Sequence, residues 1–252
     1  MRFEIKFPLI HRFNNYRGIT FGRANDPELI FENGIFYLKG HNGSGKSTFL
    51  SMLALLQGNI GRSSFNSGGK IKYGKYDYHS KSFNFIKASE IREREFCIFT
   101  QEIFFLPNLT LYENKKILTG IKNSALKNKN EYPDTLSGGW RQSSFISMIL
   151  QEKMNVWFLD EPFNNLDREN TGRFWELLRQ AYKKQPKVIF LIDHRLNNDA
   201  EKANSPFFKF YYDLHVSTQN LMAKNDKQIE SRAIAIYKII DHEGFIKKQI
   251  YG

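Results

Sequence analysis

The strongest constraint on this chain is a glycine-rich loop between an apolar run and a helical pattern. The apolar run Ile35–Lys39 precedes the loop, and an apolar helical pattern extends from Lys46 to Gln57. The loop itself, GHNGSGKS at 40–47, fits the pattern G-x-x-x-x-G-K-[ST]. Its glycines let several backbone N–H groups face phosphate oxygens, and the helix N-terminus adds partial positive charge. A nucleotide phosphate is therefore predicted to bind here.

Two side chains of this loop carry phosphate and metal chemistry. Lys46 is expected to reach the β and γ phosphates, and the Ser47 hydroxyl to be a ligand of Mg²⁺. The full set of predicted nucleotide contacts in the loop is Gly40, His41, Asn42, Gly43, Ser44, Gly45, Lys46, Ser47 and Thr48.

A second apolar run, Val156–Leu159, ends in the acids Asp160 and Glu161. A carboxylate at the end of a strand beside a phosphate loop can hold Mg²⁺, which suits Asp160. Glu161 could polarise an attacking water. Taken alone, these acids fit a solvated strand end equally well. Together with the loop they favour a Mg²⁺-dependent nucleotide hydrolase, and a GTPase, a kinase or a helicase all remain open at this point.

The pattern of elements predicts an α/β fold with a parallel sheet. The apolar runs Val156–Leu159 and Val188–Ile192 bracket a helical pattern at Arg168–Lys183, which makes a βαβ unit. Alternation of aromatic and β-branched residues over 70–100 predicts a small antiparallel sheet and a returning strand. The fold class is thus a P-loop NTPase core with a mainly parallel sheet, a small antiparallel β subdomain and a short α-helical subdomain.

We expect one domain over the whole chain, with a helical part in its middle. Helices are predicted from Leu111 to about Lys129 and from Gly139 to about Lys153. The expected boundaries are a single domain at 1–252, a core at 1–100 and 155–252, and a helical subdomain at about 102–153. The last fifty residues indicate strands, or a mixture of strand and helix, at Phe207–Val216, Arg232–Ile240 and Gly244–Tyr251.

Composition limits the compartment and the partners. The net charge of +11 suits nucleic acid or an anionic membrane surface, although like charges form no block and a scattered excess explains it better. No apolar stretch reaches the ~20 residues of a membrane-spanning helix. Glu4, Lys6 and Arg12 interrupt the N-terminal apolar residues, which argues against a secretory signal. Cys97 is the only cysteine, which excludes an internal disulfide and indicates a reducing cytoplasm.

The segment LSGGW at 136–140 resembles the LSGGQ signature of ATP-binding cassette (ABC) ATPases, with Trp140 in place of the usual glutamine. The resemblance extends over about residues 35–195. In this family the signature closes over the ATP bound to a partner subunit, so that two ATP molecules lie in a head-to-tail dimer. The resemblance therefore implies that Ser137, Gly138 and Gly139 contact the partner's ATP.

Other family features follow in the expected order. Gln101, after the strand-like FCIFT, takes the place of the Q-loop glutamine that reaches Mg²⁺ and the attacking water, and LPNLTLYEN at 106–114 is similar to the stretch that usually follows it. Asn165–Asp167 lies where the D-loop lies, so Asp167 would contact the partner subunit. His194, after VIFLID, matches the switch histidine that contacts the γ phosphate.

The resemblance implies ATP and Mg²⁺ as cofactors and assigns the site. The implied catalytic residues are Glu161, His194, Gln101 and Lys46. The implied metal ligands are Ser47, Gln101 and Asp160. An aromatic residue upstream of the loop should stack on adenine, and Tyr16 is preferred over Phe13.

The function implied is an ATP-hydrolysing nucleotide-binding subunit. It would form a homodimer, or a heterodimer with another such subunit, and drive a separate transmembrane permease from the cytoplasmic face of the membrane. Phe104, Phe105, Leu106 and Leu109 would dock the permease, or would simply be core. The alternative is a soluble ABC ATPase acting in iron–sulfur assembly or on nucleic acid. Sequence does not identify the cargo.

Overall fold

A computed structural model describes residues 2–12, 17–56, 69–80, 82–100, 104–119, 129–150, 153–164, 166–194, 208–220 and 231–239. The strands are β1 (Phe3–Lys6), β2 (Leu9–Arg12), β3 (Arg17–Phe21), β4 (Leu29–Phe31), β5 (Gly34–Lys39), β6 (Lys70–Tyr73), β7 (Tyr76–Asp77), β8 (Phe96–Phe99), β9 (Val156–Asp160), β10 (Val188–Ile192), β11 (Phe208–Asn220) and β12 (Ser231–Ile239). The helices are α1 (Lys46–Leu53), α2 (Phe85–Glu95), α3 (Leu111–Thr119), α4 (Gly138–Ile149) and α5 (Arg168–Lys184), with a 3₁₀ turn at Pro133–Thr135.

Two sheets organise these elements, and they confirm the predicted α/β class. The larger sheet has the order β2-β3-β11-β12-β5-β10-β9-β8. It is parallel among β5, β10, β9 and β8 and antiparallel from β5 outward through β12 to β2. The smaller sheet, of order β4-β1-β6-β7, is antiparallel. The antiparallel part is thus larger than sequence suggested.

The parallel strands form because their side chains are apolar on both faces. All residues of β10, VIFLI, are buried, and so are the four residues of β9 before Asp160. On one face, Phe158 and Phe190 stack at 5.4 Å between ring centroids in a cluster of aromatic residues shared with the small sheet. On the other face, Trp157 and Leu191 pack in the core beneath α4 and α5.

The phosphate-loop helix α1 ends earlier than its apolar pattern predicted. Leu55 takes a left-handed conformation with φ of 58°, which stops the helix at Leu53. Two carbonyls of buried residues at this end accept hydrogen bonds from the turn after β7 and from α2. The Tyr78 hydroxyl donates to the Leu53 carbonyl at 3.3 Å, and the Arg92 guanidinium donates to the Leu55 carbonyl.

Helix α2 has no counterpart in the sequence-based prediction. Only Ala88 and Ile91 of this helix are buried, so it lacks the apolar stripe by which an amphipathic helix is recognised. Its start is marked by Asn84, whose side chain accepts from the backbone N–H of Lys87 at 3.0 Å. The helix covers the edge of the core before the chain enters β8.

The middle and the end of the chain agree with prediction where they are described. Helix α3 is described to Thr119, and residues 120–128 lie outside the described part. Helix α4 ends at Ile149 rather than near Lys153. Strands β11 and β12 confirm two of the three C-terminal segments, while the predicted Gly244–Tyr251 element lies outside the described residues. Among the described helices, none has the length and apolar character needed to span a membrane.

Candidate active site

The phosphate loop connects β5 to α1 and is arranged around Lys46. The buried Lys46 ammonium donates to the carbonyls of Gly40 and His41 at 2.7 and 2.9 Å. Burial lowers the pKa of Lys46, against the opposing charges of Asp160 and Glu161. The lysine is thereby held across the loop where a phosphate would enter.

The backbone of the loop requires glycine at two positions. Gly43 and Gly45 have φ of 72° and 93°, in the left-handed region that disfavours other residues. The exposed residues His41, Asn42 and Gly43 form the outer part of the loop. Ser44 is buried, and its hydroxyl has no hydrogen-bond partner among the described residues. A buried orphan donor in a phosphate loop suits an anionic ligand.

Ser47 and Asp160 supply neighbouring oxygen atoms beside the loop. The Ser47 hydroxyl donates a hydrogen bond to the Asp160 carboxylate at the end of β9. Burial raises the pKa of Asp160, although Ser47, Lys46 and His194 oppose that shift. A hydroxyl and a carboxylate side by side are the donor set that Mg²⁺ prefers, so these residues fit the predicted metal.

Glu161 is held in an unusual backbone conformation and paired with His194. Its φ is 53°, which is rare for a residue other than glycine. Its backbone N–H donates to the Ile192 carbonyl at 2.8 Å. Its carboxylate lies 2.5 Å from His194 Nε2 and accepts from Asn164 Nδ2 at 3.4 Å. The ends of β9 and β10 thus bring the two predicted catalytic side chains together.

Sequence reasoning missed Tyr37, which supports His194 from the neighbouring strand. The Tyr37 hydroxyl donates to the carbonyl of buried Asp193 at 3.0 Å, directly before His194. Tyr37 lies on β5, whose end leads into the phosphate loop. A tyrosine in an apolar strand gives no sequence signal for this role, because its hydroxyl partner is 156 residues away.

The signature segment lies at the start of α4, where Ser137 and Gly138 are exposed at the surface. Ser137 is the N-cap residue, yet its side chain makes no capping hydrogen bond. A Cβ added at Gly138 would meet nothing within 4 Å, and Gly138 has no positive φ. Neither residue therefore has a reason within the described part of this chain to be serine or glycine.

Asp167 has an internal role. Its carboxylate accepts from the Asn170 backbone N–H at 2.7 Å and from Asn170 Nδ2 at 3.0 Å, which caps α5. It is also exposed, so its predicted contact with a partner subunit stays a prediction.

Several predicted residues lie outside the described residues. These are Gln101, Tyr16, its alternative Phe13, and Asn165 of the segment before α5. Their assigned roles stay predictions.

The fold and the described residues define the class of P-loop nucleoside triphosphatases: a phosphate loop, an acidic strand end and a histidine just after the neighbouring strand. Comparison with known proteins narrows the class. The family model described as ABC transporter matches residues 28–164. The lipoprotein-releasing system ATP-binding protein LolD of Treponema denticola is 30% identical, over 71% of this chain and 86% of the relative. The phosphate import ATP-binding protein PstB of Pyrococcus furiosus is 29% identical, over 66% and 71%.

Solved structures agree on the fold. The dimeric post-hydrolysis structure of the ATP-binding cassette MJ0796 bound to ADP and Pi superposes with a TM-score of 0.61 at 19% identity, covering 78% of this chain and 89% of that one. The chain belongs to the ABC transporter family of ATP-binding proteins, an ATP-hydrolysing family, as its signature segment indicated.

Asp160 gives a pH-dependent prediction. Because its pKa is raised on folding, the folded state binds the proton more tightly, and the free energy of unfolding falls as pH rises above about 4. Asp160→Asn removes this penalty, keeps an acceptor for Ser47, and should raise the melting temperature of the nucleotide-free protein by about 2 °C or more at pH 7. The gain should shrink toward pH 4.

Asp77→Asn is the control of opposite sign. Burial raises the pKa of Asp77, but the His79 backbone N–H and Lys70 outweigh it and lower that pKa overall. Its replacement should therefore reduce stability at pH 7. Thermal unfolding followed by circular dichroism measures both, and an Asp160→Asn protein less stable than wild type at pH 7 contradicts the assignment.

Proposed function

We propose that this chain is the nucleotide-binding subunit of a membrane transporter and hydrolyses ATP between two subunits. One observation carries the hydrolytic part: Lys46, Ser47, Asp160, Glu161 and His194 meet at the carboxyl ends of adjacent parallel strands. This edge is where open α/β sheets bind their ligands. The names of the relatives, lipoprotein release and phosphate import among them, support the transport context.

In the proposed reaction, a water attacks the γ phosphate in line with the bond that breaks. Glu161 orients this water and takes its proton, while His194 and Lys46 donate to the phosphate oxygens as charge develops. Mg²⁺ held by Ser47, Asp160 and Gln101 would neutralise phosphate charge. The short contact between Glu161 and His194 supports a shared role, since each side chain fixes the orientation of the other.

The second half of the proposed site comes from a partner subunit. The uncapped Ser137 hydroxyl and the open space at Gly138 support this, because a phosphate could approach the N-terminus of α4 without obstruction. Trp140 is 40% exposed on the same first turn, where the family usually has glutamine. The proposed partner is a second copy of this chain or a homologous subunit, and the sequence fits either.

The permease is proposed to dock on the loop that precedes α3. Phe105 packs edge-on against Phe145 at 5.2 Å and is partly buried, so it anchors the loop. The adjacent Phe104 is 63% exposed. Buried Asn114 shapes the same loop through bonds to Leu106 and Leu109. An exposed aromatic residue on a firmly held loop suits a protein contact.

Glu161→Gln tests the catalytic assignment. The amide keeps the shape of the side chain but cannot take a proton, so turnover should fall about 100-fold or more while ATP still binds. Single-turnover hydrolysis and nucleotide binding measure the two effects. The same variant should accumulate as an ATP-bound dimer in size-exclusion chromatography. Unchanged turnover would remove Glu161 from the role of general base.

Gly138→Asp tests the shared site. Open space at this position means that the monomer should fold normally, while the added carboxylate repels the partner's phosphates and should abolish ATP-driven dimerisation of the Glu161→Gln protein. Gly172→Asp is the matched control, since a Cβ at Gly172 on α5 also meets nothing within 4 Å. If the Gly138→Asp protein still dimerises and the Gly172→Asp protein does not, the result contradicts the proposed shared site.

Phe104→Glu tests the docking loop and the transport class. It should leave the ATPase rate of the purified protein unchanged. It should also abolish the co-purification of a multi-span membrane protein with this chain from detergent-solubilised membranes. Phe85→Glu is the control, because Phe85 has the same exposure of 63% on α2. Recovery of nucleic acid with steep salt dependence, in place of a membrane protein, would favour the alternative function.

A further inference from the structure

Gln142 links α4 to the catalytic strand through a buried hydrogen bond. Its side chain is 2% exposed, and Nε2 donates to the Pro162 carbonyl at 2.9 Å. Pro162 follows Glu161 directly. Among the described bonds, this one joins the signature helix to the residue after the proposed general base, and neither end belongs to the phosphate loop.

The N-terminal part of α4 is firmly attached to the turn before it. Arg141 Nε donates to the Pro133 carbonyl at 3.1 Å, and its guanidinium lies 3.6 Å from the Asp134 carboxylate. Pro133 and Asp134 belong to the 3₁₀ turn that leads to Ser137. A force on the exposed N-terminus of α4 would therefore move the 3₁₀ turn and the helix together. Gln142 lies in the same part of the helix and would move with them.

The backbone around Glu161 needs such support. Its left-handed conformation is held by the bond from its N–H to Ile192 and by the bond from the Asn164 N–H to its carbonyl at 3.1 Å. Gln142 restrains the next carbonyl along the chain. Such a conformation persists only where the surroundings impose it, and Gln142 is one of these restraints.

We infer that Gln142 is a positioning residue that couples the two halves of the reaction centre. It transmits the position of α4, set by the partner's nucleotide at Ser137, to the backbone that aims Glu161 at this chain's own nucleotide. This inference rests on the proposed function, because it needs the partner's nucleotide at the signature. Gln142 touches neither nucleotide itself.

Gln142→Met removes the donor at nearly constant volume. The inference predicts that kcat falls about tenfold through misplacement of Glu161, while KM for ATP stays within about twofold because the phosphate loop is unchanged. ATP-driven dimerisation in the Glu161→Gln background should persist. Met148→Ala, at a buried position further along α4, is the stability control: it should lower the melting temperature with no change in kcat for the folded protein.

Gln142→Glu allows a measurement, the pH dependence of kcat relative to wild type, that would not change if Gln142 were merely structural. The ionised carboxylate cannot donate to the Pro162 carbonyl, but the protonated acid can. The ratio of its kcat to the wild-type kcat at the same pH should therefore rise as pH falls from 8 toward about 5.5, since burial raises the pKa of a carboxyl group. The corresponding ratio for Gln142→Met should stay flat.

The coupling itself is tested by combining variants. If Gln142 acts through the signature, Gln142→Met should slow the residual single-turnover hydrolysis of the Gly138→Asp protein, which cannot form the ATP-driven dimer, less than it slows single-turnover hydrolysis by wild type. A Gln142→Met protein with unchanged kcat, a flat profile for Gln142→Glu, or full additivity with Gly138→Asp overturns the inference while leaving the proposed function intact. A wild-type protein that hydrolyses ATP without dimerising overturns both.

Discussion

The parallel pairing of β5, β10 and β9 is the constraint on which the site depends. Its register sets Leu191 beside Tyr37 and Ile192 beside Asp160, so the strands end together at one edge of the sheet. The residues that follow each end must then lie close to one another. Backbone pairing brings together the phosphate loop, Glu161 and His194. Their side chains can then contact one another over short distances, as the 2.5 Å contact between Glu161 and His194 shows.

Much of this arrangement could be predicted from sequence, because it depends on local patterns. An apolar strand followed by a glycine loop or by acids places its polar residues at a strand end whatever the rest of the chain does. Lys46, Asp160 and Glu161 were accessible in this way, whereas His194 was assigned from the resemblance to the ABC family. The βαβ unit followed from periodicity as well, whereas the C-terminal segments were predicted only as strands or a mixture of strand and helix, and the structure describes two of them as strands.

Other parts depend on contacts that no local pattern encodes. Tyr37 and Gln142 act through backbone carbonyls far away in the chain, and any residue can supply a carbonyl. Helix α2 escaped prediction because it is charged and buries little apolar surface. The early end of α1 follows from the left-handed conformation of Leu55, and the carbonyls there accept hydrogen bonds from Tyr78 and Arg92, 25 and 37 residues further along the chain. Long-range hydrogen bonds of this kind become visible only in three dimensions.

The hydroxyl of Tyr78 donates to the carbonyl of the last residue of α1, the helix that follows the phosphate loop, and the guanidinium of Arg92 donates to the Leu55 carbonyl two residues beyond it. The segment from the turn after β7 through α2, which carries these two side chains, therefore supports the helix that follows the phosphate loop. A minimal enzyme built by excising residues 69–95 would leave these carbonyls without these donors and let α1 fray from its C-terminal end. Any shortened version of this cassette must carry both side chains, or replace them, to keep its phosphate loop in shape.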